Sequence, residues 1–235
     1  MKVSIPDIFM VILVYLIVLM IIGIAKYARN KYSLSPIMSR HIIHLFCGDA
    51  MLLLPFFTAW FYPFLIPLGM GILIGIELAS KKEGGIRALM VDDSQYSKLH
   101  AFGPLYYIVS IGILVPFTWE KIAVGMAAVM IMAWGDGSAS LITPKIKGCH
   151  KYPWSDKSVE GSLLVLVFGF LGALLAWTVA TLTGVSSLPI TRIITVSFLG
   201  AMIGTIAEGA SIGPLKPFDN FTVPLLSASA MYLAI

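Results

Sequence analysis

Residues 6–26 read PDIFMVILVYLIVLMIIGIAK, an apolar run that begins at a proline and ends at a lysine. At a rise of about 1.5 Å per residue, some twenty such residues cross the roughly 30 Å hydrocarbon layer of a bilayer. No small-residue cleavage site follows the run, so we interpret it as a retained transmembrane helix and not as a signal peptide. This stretch indicates that the chain folds in lipid.

Apolar runs of similar length recur along the whole sequence, of which 58% is hydrophobic and 12% charged. Soluble domains carry about a quarter charged residues, so this chain lacks the charges needed to cover a soluble surface. We place spans near residues 6–26, 42–61, 63–80, 101–118, 120–140, 161–183, 190–208 and 220–235. Because the last is short, the sequence predicts an all-α, polytopic transmembrane helical bundle of seven to eight spans, in a single integral membrane domain over residues 1–235.

The positive charges fall mainly on one side of these spans, and cytoplasmic loops are the ones enriched in Lys and Arg. Of the 16 Lys and Arg residues, 13 lie on the side of the loops 27–41, 81–100, 141–160 and 209–219, and 3 lie on the other side. We therefore expect these loops at the cytoplasmic face and the N-terminus outside. The formal net charge of +4 is thus interpreted as a topology signal and not as a nucleic-acid-binding surface.

Four acidic residues fall inside or at the ends of spans, namely Asp49, Glu77, Asp136 and Glu208. An ionisable group at the centre of a membrane helix costs about 2.5–3.5 kcal/mol on insertion scales, so each is a functional candidate. Asp136, in the segment AWGDGSAS at residues 133–140, is the most informative. A carboxylate there can bind Mg²⁺, which takes one or two protein carboxylates and completes its shell with water and phosphate oxygens. The alternative is a buried aspartate paired with a lysine for packing alone.

The connection after the fifth span, KIKGCHKYPWSDKSVEGS at residues 145–162, runs into the sixth span. Ser155 or Asp156 would cap the sixth helix and leave backbone amides near Lys157 and Ser158 to bind an anion such as phosphate. The other lysines of the loop have a plainer interpretation as positive-inside charges. Glu160 likewise has an alternative role, an interaction with the positive end of the helix dipole.

Several segments together resemble one family. Gly135-Asp136 with Ala139, followed by KSVEGS at residues 157–162, resembles the signature of the CTP-dependent prenol kinases, the family of phytol, farnesol and dolichol kinases. RHIIHLFCG at 40–48 resembles the family's early Arg, His and Gly segment, and DNFTVPL at 219–225 resembles its stretch near the C-terminus. Relatives usually place Gly-Arg or Gly-Lys shortly after Gly-Asp, where this chain has Thr143-Pro144. Lys145 or Lys147 is expected to supply that charge.

The resemblance implies a membrane-embedded kinase, active at the cytoplasmic face, that transfers the γ-phosphoryl group of CTP to the hydroxyl of an isoprenoid alcohol of the phytol, farnesol, geranylgeraniol or dolichol type. Its product would be the prenyl monophosphate. The expected partners are this alcohol, a nucleoside triphosphate and membrane lipids, with no nucleic acid; a homodimer is left open.

Residue roles follow from the motifs and this resemblance together. The candidate catalytic residues are Asp136, His44, Lys157 and Glu160. The candidate nucleotide and phosphate ligands are Gly135, Ser140, Lys145, Lys147, Lys157, Ser158, Gly161, Asp219, Asn220 and Thr222. The candidate Mg²⁺ ligands are Asp136, Glu208 and Glu77, and the candidate substrate-binding residues are Arg40, His44 and Gly48.

Some of these residues have equally simple structural roles. His41 and His44 lie three residues apart on one helix face and can be a structural hydrogen-bonding pair. Asp219, Asn220 and Thr222 can cap the last helix.

Three other functions share parts of this pattern. A lipid-phosphate cytidylyltransferase would carry a similar acidic and Lys/Glu-Gly pattern in its membrane domain, and a CTP-dependent diacylglycerol kinase is a related alternative. A small proton- or cation-coupled transporter would use the intramembrane carboxylates as a relay. The sequence has no evident paired halves with broken helices, which many transporters have.

The topology can be tested with a reporter enzyme that is active only in the cytoplasm. Inserted into the loop 141–160, the reporter is expected to be active, because that loop carries an excess of positive charge. Inserted into the short loop 184–189, between the sixth and seventh spans, the same reporter is expected to be inactive. The reverse pattern would overturn the predicted orientation.

Overall fold

The computed structural model describes residues 4–79, 103–155, 157–211 and 218–235. Within these ranges the protein has eight helices and no β-strand; Lys151 and Ser158 form an isolated backbone bridge. The helices are α1 (Ile5–Tyr32), α2 (Pro36–Gly48), α3 (Phe61–Ala79), α4 (Gly103–Phe117), α5 (Trp119–Lys145), α6 (Val159–Leu182), α7 (Ile190–Ala210) and α8 (Asp219–Ala234).

Four of these helices, α1, α5, α6 and α7, are long and apolar enough to cross a membrane. The predicted all-α membrane bundle is therefore confirmed. Of the predicted cytoplasmic loops, residues 81–100 and most of 209–219 lie outside the described ranges, as does Asp156.

The second predicted span, 42–61, is not one continuous α-helix. α2 ends at Gly48, and the chain continues as a 3₁₀ helix over Asp49–Phe56 before it becomes extended at Phe57. A proline inside this segment, Pro55, has no amide hydrogen to donate, which disfavours a regular α-helix there. The predicted span is helical from Pro36 to Phe56, but its second part winds as a 3₁₀ helix, and apolar composition alone does not distinguish a 3₁₀ turn from an α turn.

α5 lies at the centre of the bundle and is apolar on all sides, as expected of a helix enclosed by others. Residues 126–133 each expose 1% or less of their surface. Buried residues of α6, α7 and α8 pack around it. Gly172 of α6 allows a close approach of the two backbones, since a Cβ atom there would lie only 2.9 Å from the carbonyl oxygen of Met130.

Within α5, residues Ile131–Asp136 form a π-helical segment. Such segments are rare and are frequent at functional sites, because they widen one turn and re-aim its side chains. The segment presses against α6, where a Cβ atom on Gly135 would lie 3.0 Å from the carbonyl oxygen of Val165. We expected a regular helix here, and the sequence offers no signal for the wider turn.

Hydrogen bonds fasten the beginning of α1 to the connection between α2 and α3. The Asp7 carboxylate accepts bonds from the Thr58 amide at 2.8 Å and from the Thr58 hydroxyl at 2.5 Å. The Ser4 amide donates to the Tyr62 hydroxyl at 2.8 Å. Residues 57–62 therefore lie beside the N-terminal end of α1, at the opposite end of that helix from Tyr32.

The close approach of α6 to α5 generates a stability prediction. Gly172→Ala places a methyl group against a backbone carbonyl that is held by its own helix, and overpacking of this kind costs about 1–3 kcal/mol. Gly75→Ala is the matched control, because no atom lies within 4 Å of its added Cβ. Thermal unfolding in detergent should show a lower unfolding temperature for Gly172→Ala and no decrease for Gly75→Ala. Equal unfolding temperatures for the two variants would contradict the packing described here.

Candidate active site

A cluster of charged side chains lies where α6 begins, α7 ends and α8 begins. The Lys157 ammonium is 2.6 Å from Glu208 Oε1 and 3.7 Å from Asp219 Oδ2. It also donates to the Glu208 carbonyl oxygen at 2.6 Å, near the negative end of the α7 dipole. The Lys157 and Glu208 side chains are only 12% and 10% exposed, so this ion pair is largely withdrawn from water.

The charge state of Lys157 follows from these contacts. Burial lowers the pKa of its ammonium, but the Glu208 and Asp219 carboxylates outweigh burial and raise that pKa above its usual value. Lys157 is therefore a cation at physiological pH. The cluster combines a fixed positive charge with at least two carboxylates.

Asp136 joins this cluster from the π-helical segment of α5. Its carboxylate interacts electrostatically with Lys157, and also with His44, His41 and Arg40 of α2. The charges therefore come from five places in the fold: α2, α5, the residue before α6, the end of α7 and the beginning of α8.

His44 is held in a defined orientation next to Asp136. Its Nε2 atom is 3.9 Å from Asp136 Oδ2, which is too long for a direct hydrogen bond, and within the described part of the chain Nε2 has no hydrogen-bond partner. The ring instead bonds the Met132 carbonyl. Since that bond requires an N–H on the other ring nitrogen, the neutral ring presents Nε2 as an acceptor. A hydroxyl group placed between Nε2 and Asp136 would find an acceptor on either side.

An apolar cavity opens on the other side of His44. It lies between α1, α2, the 3₁₀ segment, α3 and α4, and it encloses about 940 Å³, counting the part open to the surroundings. Arg40, His44 and Asn220 contribute to its lining. The Asn220 amide donates to the Gly103 carbonyl at 3.1 Å, which joins α8 to the beginning of α4 at this point. His44 thus borders both the cavity and the charged cluster.

The relatives of this chain agree with its motifs. It is 32% identical over 209 residues to the phytol kinase of Synechocystis sp., a match that covers 85% of this chain and 80% of that protein. The chain belongs to the prenol kinase family.

Two plant proteins extend this relationship. The chain is 30% identical over 210 residues to probable phytol kinase 1, chloroplastic, of Glycine max, covering 83% of this chain and 66% of that protein. It is 28% identical over 135 residues to farnesol kinase, chloroplastic, of Arabidopsis thaliana, covering 56% and 42%. The chain therefore spans just under two thirds of the length of the soybean relative. No family model and no solved structure matches it.

The prenol kinase motifs converge in space although they are far apart in the chain. The structure brings together six residues that the sequence nominated: Arg40, His44, Asp136, Lys157, Glu208 and Asp219. Asn220 lies beside them at the cavity, as described above.

The start of α6 differs from the expected arrangement. Ser158 is the N-cap, and its hydroxyl accepts a bond from the Gly161 amide at 3.1 Å. The Val159 amide donates to the His150 carbonyl at 2.9 Å. The expectation of a cap at Ser155 or Asp156 was therefore wrong, and these two amides are already used within the protein. Within this motif, the Lys157 ammonium is a positive group near Asp136 that is suited to a phosphate.

The remaining loop candidates lie apart from the cluster. The Glu160 carboxylate accepts a hydrogen bond from the His150 backbone amide at 2.9 Å. Its other oxygen lies 2.6 Å from Nδ1 of the His150 ring. Lys145, the last residue of α5, and Lys147, in the connection to α6, are exposed. The structure shows no contact from these three to Asp136 or Lys157 among the residues it describes.

Other candidates have mainly structural contacts. A Cβ atom on Gly48 would lie 2.3 Å from the Ala133 Cβ, so this glycine lets α2 approach α5 closely. The Thr222 hydroxyl donates to the carbonyl of Phe218, the N-cap of its own helix, at 3.3 Å. Ser140 is half-buried one turn beyond Asp136, and Glu77 is half-buried near the end of α3.

Sequence reasoning missed two aromatic residues that hold the site. The Tyr107 hydroxyl donates to the His44 carbonyl at 3.1 Å, and the two rings lie 4.2 Å apart. The Trp134 indole donates to Asp49 Oδ1 at 2.7 Å, which links α5 to the start of the 3₁₀ segment. The position of Trp134 beside the Gly-Asp motif was an available signal, whereas Tyr107 lies in an ordinary apolar span with none.

The buried ion cluster generates a further stability prediction. Lys157→Met leaves the buried Glu208 and the half-buried Asp219 without their cation, and removing one partner of a buried pair typically costs about 3–5 kcal/mol. Adding Glu208→Gln should recover part of that loss, because it removes one of the uncompensated charges. Lys151→Met, on an exposed residue of the same loop, is the matched control. Unfolding in detergent measures all three, and equal stability of the two single variants would contradict the role of Lys157.

Proposed function

We propose that this protein is a membrane-embedded kinase that transfers the γ-phosphoryl group of CTP to the hydroxyl of an isoprenoid alcohol at its cytoplasmic face. The main supporting observation is the position of His44, which borders the apolar cavity and lies 3.9 Å from Asp136 in the charged cluster. A lipid alcohol and a phosphorylated nucleotide can therefore meet at one residue. Membership of the prenol kinase family supports the same class of reaction.

Phosphoryl transfer depends mainly on positioning and on positive charge against the transferring oxygens. Lys157 supplies a permanent positive charge next to Asp136, and Arg40 supplies another from α2. In the protein alone, the Glu208 and Asp219 carboxylates hold the Lys157 ammonium. Phosphate oxygens would compete with these carboxylates for it.

The carboxylates also fit a bound Mg²⁺ ion. The described residues contain no group of three or more His, Cys, Asp or Glu side chains arranged around a metal. Mg²⁺ needs only one or two protein carboxylates when phosphates and water complete its shell, and Asp136 with Glu208 or Asp219 offers such oxygens. The ion would neutralise charge on the nucleotide phosphates.

His44 is suited to accept the proton of the alcohol. Its N–H bond to the Met132 carbonyl fixes the ring and leaves Nε2 as an acceptor at the edge of the cavity. As the alcohol oxygen bonds to the γ-phosphorus, the bond from that phosphorus to the bridging oxygen breaks and releases CDP. The hydroxyl proton moves to Nε2, and the nearby Asp136 carboxylate stabilises the imidazolium that results.

The proposal is tested by incubating membranes that contain the protein with γ-labelled CTP or ATP and phytol, farnesol, geranylgeraniol, dolichol or diacylglycerol. We expect labelled prenyl monophosphate and CDP, and dependence on a divalent cation. Release of pyrophosphate would instead indicate a cytidylyltransferase, and labelling of diacylglycerol alone a diacylglycerol kinase. Solute movement without nucleotide consumption would indicate a transporter.

In the same assay, Asp136→Asn and His44→Gln are expected to lower kcat by roughly a hundredfold or more, as for other single groups that act on the transition state. Glu120→Gln, at an exposed residue in the first turn of α5, and Lys151→Ala are the controls and should retain activity. Correct insertion of each variant is checked by its unfolding temperature. Full activity of Asp136→Asn would remove Asp136 from the site.

A further inference from the structure

The apolar cavity is polar at one end only. Arg40, His44, Gly103 and Asn220 line the end next to the charged cluster. The rest of the lining is almost entirely apolar and includes Val18, Ala50, Met70, Ile108, Leu54 and Val115. The hydroxyl of Tyr107, which also lines the cavity, is already bonded to the His44 carbonyl. A ligand of this cavity therefore has a polar group at one end and a hydrocarbon body.

The depth of the cavity can be measured along α4. This helix lines the cavity from Gly103, at the polar end, to Val115, which corresponds to about 18 Å at 1.5 Å per residue. Phe57 lines the end away from Arg40, because the next residue, Thr58, is bonded to Asp7 at the beginning of α1. The cavity thus runs alongside α1, α3 and α4, deep into the apolar part of the bundle.

We infer that this cavity is a chamber for the isoprenoid tail of the alcohol and that its depth selects the length of that tail. The inference rests on the proposed kinase function. It adds the position of the tail and the residues that limit the length of tail the chamber accepts. A hydroxyl beside His44 Nε2 places the tail along the lining of α4 towards Phe57. An extended farnesyl or geranylgeranyl chain is comparable in length with the chamber, whereas a dolichyl chain is many times longer and would have to leave it.

The change from α2 to the 3₁₀ segment shapes the middle of the chamber. The tighter winding after Gly48 turns Ala50, Met51 and Leu54 towards the cavity. Ala50 is small and lies between His44 and Phe57 along this wall, so a larger side chain there would shorten the chamber. Phe57 is buried at the far end, so a smaller side chain there would lengthen it.

The test compares kcat/KM for farnesol, geranylgeraniol and a longer polyprenol in the wild type, Ala50→Leu and Phe57→Ala. Ala50→Leu should lower the geranylgeraniol-to-farnesol ratio roughly tenfold or more, the scale on which apolar pockets discriminate by size. Phe57→Ala should raise the relative use of the longer polyprenol. The controls are Ala79→Leu and Phe56→Ala, which lie on exposed surface outside the cavity lining and should leave both ratios unchanged.

The outcomes separate this inference from the proposed function. If the wild type phosphorylates no prenol, the kinase proposal fails. If the wild type is active but neither chamber variant changes its ratio relative to its control, the chamber inference alone fails.

A second measurement is independent of the variants. Geranylgeraniol with a photoreactive diazirine at the end remote from the hydroxyl is irradiated with the wild-type protein, and the labelled residues are identified by mass spectrometry. Labelling of Phe57, Pro63 or Val115 is expected. Labelling confined to exposed residues such as Phe56 and Phe117 would overturn the inference.

Discussion

The ammonium of Lys157 links three helices at the charged end of the bundle. It precedes α6, contacts a side chain and a carbonyl from the last turn of α7, and lies near the first residue of α8. Carboxylates from different helices would repel one another without it, and removal of such a cation leaves buried charges uncompensated. The Asp136 carboxylate interacts electrostatically with the same ammonium, so the central helix α5 also contributes to this cluster.

A second feature of the fold is that one half of the bundle carries most of the charged groups and the other half lines most of the cavity. α5, α6, α7 and α8 form the larger apolar core and supply most of the charged groups, whereas α1, α2 and α3 form a separate apolar cluster that lines much of the cavity. α2 and α4 join the two halves, because His44 of α2 and Tyr107 of α4 are in ring contact and are linked by a hydrogen bond. The proposed phosphate donor and the proposed lipid alcohol would therefore reach the site from different directions.

Much of this architecture could be predicted from the sequence, because apolar run length and the position of charges are local properties. The convergence of Asp136, Lys157 and Asp219 was expected because their motifs lie at span ends on one predicted face. The cap at Ser158 was not, since Ser155, Asp156 and Ser158 are all good capping residues and tertiary contacts with His150 decide among them. The cavity, the orientation of His44 and the role of Tyr107 depend on how separate helices pack, which no local pattern encodes.

The π-helical segment at Ile131–Asp136 has a consequence for the winding of α5. A helix that takes up an extra residue in one turn offsets the azimuth of the residues after it, by about 100° for each residue in an α-helix. The direction of the Asp136 carboxylate therefore depends on the number of residues in this turn of the helix, and not only on the residue being an aspartate. The insertion or deletion of a single residue between Met126 and Asp136 would rotate that carboxylate away from His44. The sequence motifs themselves would remain unchanged.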